Sequence, residues 1–485
     1  MPSHSLSELN TVFGFHYLEK NKLKSFNAMF AKETYVARRA KLKQTLGSGL
    51  LLFLGNDESG MNYADNTYHY RQDSTFLYFF GLSYAGLNAI IDVDNDREII
   101  FGDELTIDAI VWMGTQPTLK EKSEAAGITE VRPYKEIADY LKAAQAKKQP
   151  IHYLPVYRPE HQIKLQDWLG IYPGTEKPSV EFIYGVANQR NYKTEEEIIE
   201  LEKACNVTAD MHIEAMKAVR PGMLEAEIAA IVAQTALKND YQLSFPIIAT
   251  INGQTLHNHY HGNRIKSGDM LLLDAGAETP MGYCGDMSST IPADKQFTTR
   301  QREIYDIQVA SHEAAVAALR PGVNFEEVYD LSLTVIMDGL KELGFVKGDT
   351  KEAVKAGAAA LFMPCGLGHM MGMDVHDMEN LGEVYVGYNG RAKSTQFGRK
   401  SLRLGRELEP GFVLTIEPGI YFIPELIDMW HSEKRFAEFI NYDKVETYRG
   451  FSGLRNEEDY LITADGARLL GKKIPLHAEE VEALR

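Results

Sequence analysis

Five residues in the second half of the chain, Asp274, Asp286, His369, Glu417 and Glu457, have the types and settings that metal-assisted chemistry asks for. The apolar run 270–273 ends on Asp274, and a buried strand finishes on a carboxylate only where that charge is compensated. Twelve residues on, beyond the turn Thr279-Pro280-Met281-Gly282, stands Asp286, so a β-hairpin brings the two acids side by side. Such a pair is either a solvated turn or a place where a shared proton or bound cations relieve the repulsion. His369 follows Cys365-Gly366-Leu367-Gly368, whose glycines imply a close backbone approach, and His376 comes seven residues later. Glu417 ends the apolar run 413–416 just ahead of Pro418-Gly419, and Glu457, Glu458 and Asp459 stand in what reads as a central strand. Polar positions of this kind in one domain need a common cause. Four carboxylates and one histidine make an oxygen-rich set that suits Mn²⁺ first, and less selectively Co²⁺, Fe²⁺ or Zn²⁺. Carboxylates bridge two divalent cations roughly 3.5 to 4 Å apart, a geometry that activates water at neutral pH. The chemistry expected is hydrolysis.

The elements that must position these residues fall into two parts. Residues 1–190 read as a smaller α/β domain, with strands at 48–55, 89–93 and 99–101, the last two joined by Asp94-Asn95-Asp96. A capping box at Thr194-Glu195-Glu196-Glu197 opens an amphipathic helix that runs to about Val219, so the second domain is placed at 191–485. That half repeats itself. Ala218-Val219-Arg220-Pro221-Gly222 recurs as Ala318-Leu319-Arg320-Pro321-Gly322, and the segment 268–274 matches 411–417, each a glycine, an apolar strand and then a carboxylate. Two repeats in the same order predict a duplicated architecture, its halves related by a pseudo-twofold axis with a site between them.

Composition excludes other classes. The chain has 485 residues, 44% of them hydrophobic and 25% charged, which fits a globular protein of at least two domains. Acids outnumber bases 68 to 51, a balance that argues against binding nucleic acid. Three scattered cysteines suggest no disulfide framework, Met1 to Ser5 lead into no apolar signal, and no window is apolar enough for a membrane span. A cytoplasmic location is the expectation.

The order Asp, Asp, His, Glu, Glu within LLLDAG, GLGHMMGMDVHD, VLTIEPGIYF and GLRNEEDYLIT resembles the creatinase/aminopeptidase P/prolidase family of pita-bread metallopeptidases. The likeness covers the second half and reaches the first through the segment 70–76 and Trp112-Met113-Gly114. It implies an α+β fold, with a duplicated pita-bread catalytic domain behind a smaller α/β domain. It implies further that Asp274 chelates one cation, His369 and Glu417 the other, and that Asp286 and Glu457 bridge them. Glu417 would accept a proton, His376 would stabilise the reacting peptide, and His257 would be the second active-site histidine. His259 and His261 lie close enough to compete for that last role.

Two departures from the family pattern stand out. The turn between Asp274 and Asp286 is one residue longer than usual, and Cys365 replaces a histidine. From Arg403 onward the chain resembles prolidases. Arg403 would receive the free carboxylate of a dipeptide, Arg455 is a further candidate for substrate binding, and Trp112 resembles an aromatic that reaches the partner's site in a homodimer. The stretch 384–399 reads as an extra loop, a lid or disordered. The substrate implied is a small peptide containing proline, cut before that residue. Aminopeptidase P activity on longer peptides and a non-catalytic binding protein are the alternatives.

Overall fold

The structure is a computed structural model that describes residues 29–485, so the expectation about Met1 to Ser5 lies outside the described residues. The chain divides into two compact units, 1–186 and 187–485. In the first unit, β1 (Leu50–Leu54), β2 (Asn88–Asp92), β3 (Arg97–Phe101), β4 (Glu130–Arg132) and β5 (Ile151–His152) form a mixed sheet in the order β4-β3-β2-β1-β5. The strands β2 and β3 pair antiparallel through the anticipated turn, where Asp96 takes a left-handed φ of 49°. Leu50, Leu52, Ile90, Ile99 and Phe101 fill one core, each such burial contributing roughly 1.5 to 3 kcal/mol.

The second unit is built twice. In its first half α1 (Glu195–Ala218) opens on the capping box at Thr194 and is followed by α2 (Glu225–Leu237). Three strands come next, β6 (Ile248–Thr250), β7 (Met270–Ala275) and β8 (Met287–Pro292), in the order β8-β7-β6. The second half has α3 (Thr299–Ala318), α4 (Phe325–Glu342), β9 (Val413–Ile416), β10 (Gly419–Tyr421), β11 (Gly453–Arg455) and β12 (Glu458–Ile462).

The Arg-Pro-Gly repeats occupy the same place in each half. Gly222 N–H donates to Ile265 O at 2.8 Å and Gly322 N–H to Leu408 O at 2.9 Å, both glycines with a positive φ that stops the preceding helix. Asp274 sits near the end of β7 and Glu417 directly after β9, so the matched strands deliver matched carboxylates. The halves meet where Glu457 N–H donates to Ser288 O at 2.9 Å, a bridge that links the two hairpins edge to edge. No helix of the described residues is long and apolar enough to cross a membrane.

Candidate metal centre

The hairpin of β7 and β8 pairs Asp274 with Ser288 and Ala275 with Met287. Asp286 therefore stands two rungs along from Asp274 on the same face, rather than directly opposite it. Glycines let the strands approach tightly here, since a Cβ on Gly276 would lie 1.9 Å from Gly285 O. In the second hairpin Ile416 pairs with Glu458 and Gly419 with Arg455, so the register sets Glu417 opposite Glu457. His369 lies alongside β9, its carbonyl accepting from Thr415 N–H at 3.0 Å. A Cβ on Gly368 would meet Thr415 O at 2.0 Å, which is the close approach that the GLGH string suggests.

Asp286, His369, Glu417 and Glu457 converge, and Asp274 lies within electrostatic reach of them. One ligand atom each from Asp286, His369 and Glu457 lies within 4.8 Å of the others, and His369 Nε2 stands 3.4 Å from Asp286 Oδ2 and 3.8 Å from Glu417 Oε1. His369 Nδ1 is 3.1 Å from Met370 O, and because a carbonyl only accepts, Nδ1 carries the proton. The Nε2 lone pair is left facing the carboxylates, which is the tautomer a metal ligand needs.

Burial and mutual repulsion push the carboxyls of Asp286 and Glu457 well above the usual range, and Glu417 up to about 7. Asp274 is held at 2.5 Å by Arg455 Nη2 through Oδ2, while its buried Oδ1 makes no hydrogen bond. One guanidinium does not neutralise the three buried carboxylates of Asp274, Asp286 and Glu457 and the half-buried Glu417. The orphaned Oδ1 and the oxygen-rich donor set therefore fit the two divalent cations expected from the sequence.

Arg455, read from the sequence as a substrate-binding candidate, is buried. It spends Nε on Ser288 Oγ at 2.9 Å, Nη1 on Tyr421 OH at 2.8 Å and Nη2 on Asp274. In this arrangement its guanidinium serves the carboxylates. Ser288 in turn donates to Glu457 Oε2 at 2.7 Å.

The rings of His369 and His376 are 4.4 Å apart, and both line a pocket shared with Glu379, Glu383 and Arg403. Arg403 Nη1 donates to Glu379 Oε1 at 2.7 Å and Glu383 Oε1 at 2.6 Å, partners the sequence did not reveal. Desolvation, with His369 and Arg403 adding to it, pulls the His376 pKa down, while its Nδ1 donates to Glu379 Oε2 at 2.6 Å, a contact that favours the protonated ring. His257 is exposed, in the loop after β6. Partial desolvation and then Arg455 lower its pKa, which places it within electrostatic reach of the centre. That loop is tied down where Gly253 N–H donates to Ser452 Oγ at 2.8 Å, just ahead of β11. His261 is occupied instead by Ile247 O at 3.0 Å.

Burial pushes the Cys365 thiol up to about 12, so it stays protonated beside Glu417. The stretch 384–399 is an anchored loop, neither disordered nor a free lid. Tyr388 is buried with its OH donating to Leu402 O at 2.9 Å, and Phe397 packs on Trp430. Those two aromatics supply the anchors that its glycines and charges conceal. In the first unit, Trp112 is 85% exposed on the helix Ile107–Met113, none of whose residues is buried.

A model of metallopeptidase family M24 matches residues 200–464, more than half of the chain. The chain belongs to metallopeptidase family M24. The M24 domain is preceded by a match at 35–152 to the aminopeptidase P N-terminal domain, so the chain is an α+β metallopeptidase of the pita-bread fold. The human Xaa-Pro dipeptidase is 30% identical over 482 residues, covering 96% of this chain and 95% of that protein. The Escherichia coli Xaa-Pro aminopeptidase is also 30% identical, over 94% and 98%. Among solved structures, proline aminopeptidase P II from Yersinia pestis superposes with a TM-score of 0.78 at 27% identity, covering 94% and 99%. Aminopeptidase P from E. coli with the inhibitor Pro-Leu gives 0.77 at 29%, covering 94% and 98%. Membership of M24 implies bound divalent metal, and the buried Asp286, His369 and Glu457 cluster is consistent with it.

Proposed function

We propose that this M24 enzyme hydrolyses the peptide bond preceding proline and favours Xaa-Pro dipeptides. The observation that carries this reading is a pocket in which His369, His376 and Arg403 meet beside the carboxylate cluster. Two divalent cations, Mn²⁺ first with Co²⁺, Fe²⁺ or Zn²⁺ as alternatives, would be held by Asp274, Asp286, His369, Glu417 and Glu457. When bound they supply Lewis acidity and an activated water.

The chain's own residues do the rest. Glu417 takes up the proton at its carboxylate. His376, beside His369 and held through Nδ1 by Glu379 Oε2 at 2.6 Å, contacts the reacting peptide and, when it carries a second proton on Nε2, stabilises the developing oxyanion, and His257 closes the site from its exposed loop. Arg403 receives the free carboxylate of the dipeptide, exchanging Glu379 and Glu383 for it. In this reading the enzyme is a cytoplasmic homodimer in which Trp112 reaches the site of the second copy.

Relatives of both kinds match equally well, so Arg403 is where the two activities are to be separated. Arg403→Ala is expected to weaken Ala-Pro hydrolysis about tenfold or more in kcat/KM, the scale of one hydrogen bond to a charged group. Arg403→Lys recovers part of that, keeping the charge without the planar fork. A tripeptide Xaa-Pro-Xaa, whose carboxylate lies elsewhere, loses less. An equal loss on both substrates in metal-supplemented assays would make aminopeptidase P the better reading.

A further inference from the structure

The pseudo-twofold relation extends beyond the ligands to the helices behind them. Thr208 and His212 on α1 precede Gly222 by the same spacing as Gln308 and His312 on α3 precede Gly322. In each pair the two residues are one helical turn apart and share a face. All four side chains are buried.

Each pair grips its own hairpin on backbone next to a ligand. His212 Nε2 lies 3.1 Å from the carbonyl of Ala275, the residue after Asp274, and its Nδ1 lies 2.7 Å from Ser289 Oγ on the opposite strand. Thr208 Oγ1 accepts from Ala277 N–H at 2.9 Å. In the second half Gln308 Nε2 donates at 2.7 Å to the carbonyl of Pro418, the residue after Glu417. Gln308 Oε1 accepts from Asn456 Nδ2, next to Glu457. His312 approaches Glu458 Oε2 at 3.8 Å. So one side chain from each helix spans both strands of a ligand-bearing hairpin.

We propose that His212 and Gln308, at different positions of the two matching helices, are the positioning residues that set the separation of the carboxylates on their hairpins, and with it the affinity of the cation site. The inference rests on the metal-binding reading given above. Burial pushes His212 down to about 4, so the ring is neutral at working pH. Ala275 O only accepts, which puts the proton on Nε2 and leaves Nδ1 to accept from the Ser289 hydroxyl. A neutral imidazole in one fixed tautomer thus holds the two strands at a set distance, as Gln308 does with its amide. Outer partners that orient a ligand typically change metal affinity about 10- to 100-fold when removed.

The test is Mn²⁺ titration calorimetry on the full chain, with circular dichroism as a check on folding. His212→Phe and Gln308→Met, which keep bulk and remove the polar grip, are each expected to weaken Mn²⁺ binding about tenfold. His212→Gln, whose amide again offers a donor to Ala275 O, is expected to recover most of the loss. The pH profile of activity keeps its shape in all three, because neither residue exchanges protons in the reaction. Should the Phe variant fail to fold, Ser289→Ala removes the partner hydroxyl alone, and a weakened affinity is expected there too. Folded variants that bind Mn²⁺ as wild type does would overturn the proposal and leave the metal-binding reading intact. Wild type that takes up no divalent cation would overturn both.

Discussion

Glu457→Gln is expected to lower hydrolysis about a hundred- to a thousandfold, the scale of removing one electrostatic element of an active site. The same change is expected to make the cation-free protein more stable. Glutamine keeps the shape of the side chain and the hydrogen bond from Ser288. What it removes is a carboxylate that burial and the neighbouring Asp286, Glu417 and Asp274 hold well above its usual pKa. Relief of that repulsion raises the melting temperature by roughly 2 to 4 °C for each kcal/mol regained. Asp286→Asn is expected to behave likewise, and the alanine variants to lose activity equally with a smaller gain in stability. The measurements are turnover of Ala-Pro, metal content, and melting in the presence of a chelator. Full activity with two cations retained in either variant would sink the ligand assignment.

Cation removal should invert the pH dependence of stability. Glu417 has a folded pKa of about 7 against the ordinary glutamate value of 4.5, so the folded chain binds the extra proton between those values. The stability tied to that proton is fully present below about pH 4.5 and is lost as pH rises through 7, on the order of 3 kcal/mol from this group alone. Asp286 and Glu457, raised further by burial, extend the loss to higher pH. Cations reverse the sign, because they compete with protons for the same oxygens and bind more tightly as pH rises. Melting curves from pH 4.5 to 8 should therefore diverge, with chelated protein falling and Mn²⁺-loaded protein rising. Parallel curves would show that the carboxylates do not hold the cations.

Much of this centre is legible in the sequence because its causes are local. An apolar strand ending on Asp274, a turn at 279–282 and a glycine ahead of His369 each leave a mark within a few residues, and each mark corresponds to a hydrogen bond or a close approach in the fold. The repeated Arg-Pro-Gly strings likewise announce a helix stop that geometry then reproduces twice.

What the strings conceal is pairing between distant residues. Arg455 lies two positions from Glu457, yet its main partner is Asp274, 181 residues away. Glu379 and Glu383 look like ordinary surface acids until the fold turns them toward Arg403. His212 is the most legible of the concealed residues, since aligning the two Arg-Pro-Gly repeats sets it against His312 on the matching helix. In the stretch 384–399, glycines and charges mask Tyr388 and Phe397, although two well-placed aromatics suffice to anchor a loop.

The bridge between Ser288 and Glu457 has a consequence for how the protein is made. Those residues are 169 positions apart, so the hairpin with Asp274 and Asp286 leaves the ribosome long before the strand that completes its edge. Until then two acids destined for burial have neither Arg455 nor the second pair of carboxylates beside them, and water is the better environment for both. The nascent first half should thus remain open at this edge and close only when the later strands arrive. Closure at such sequence separation is slow, and an uncovered strand edge in the meantime is a surface on which chains stick to one another. Synthesis with ample divalent cation available would shorten that exposure by drawing the late-formed cluster shut.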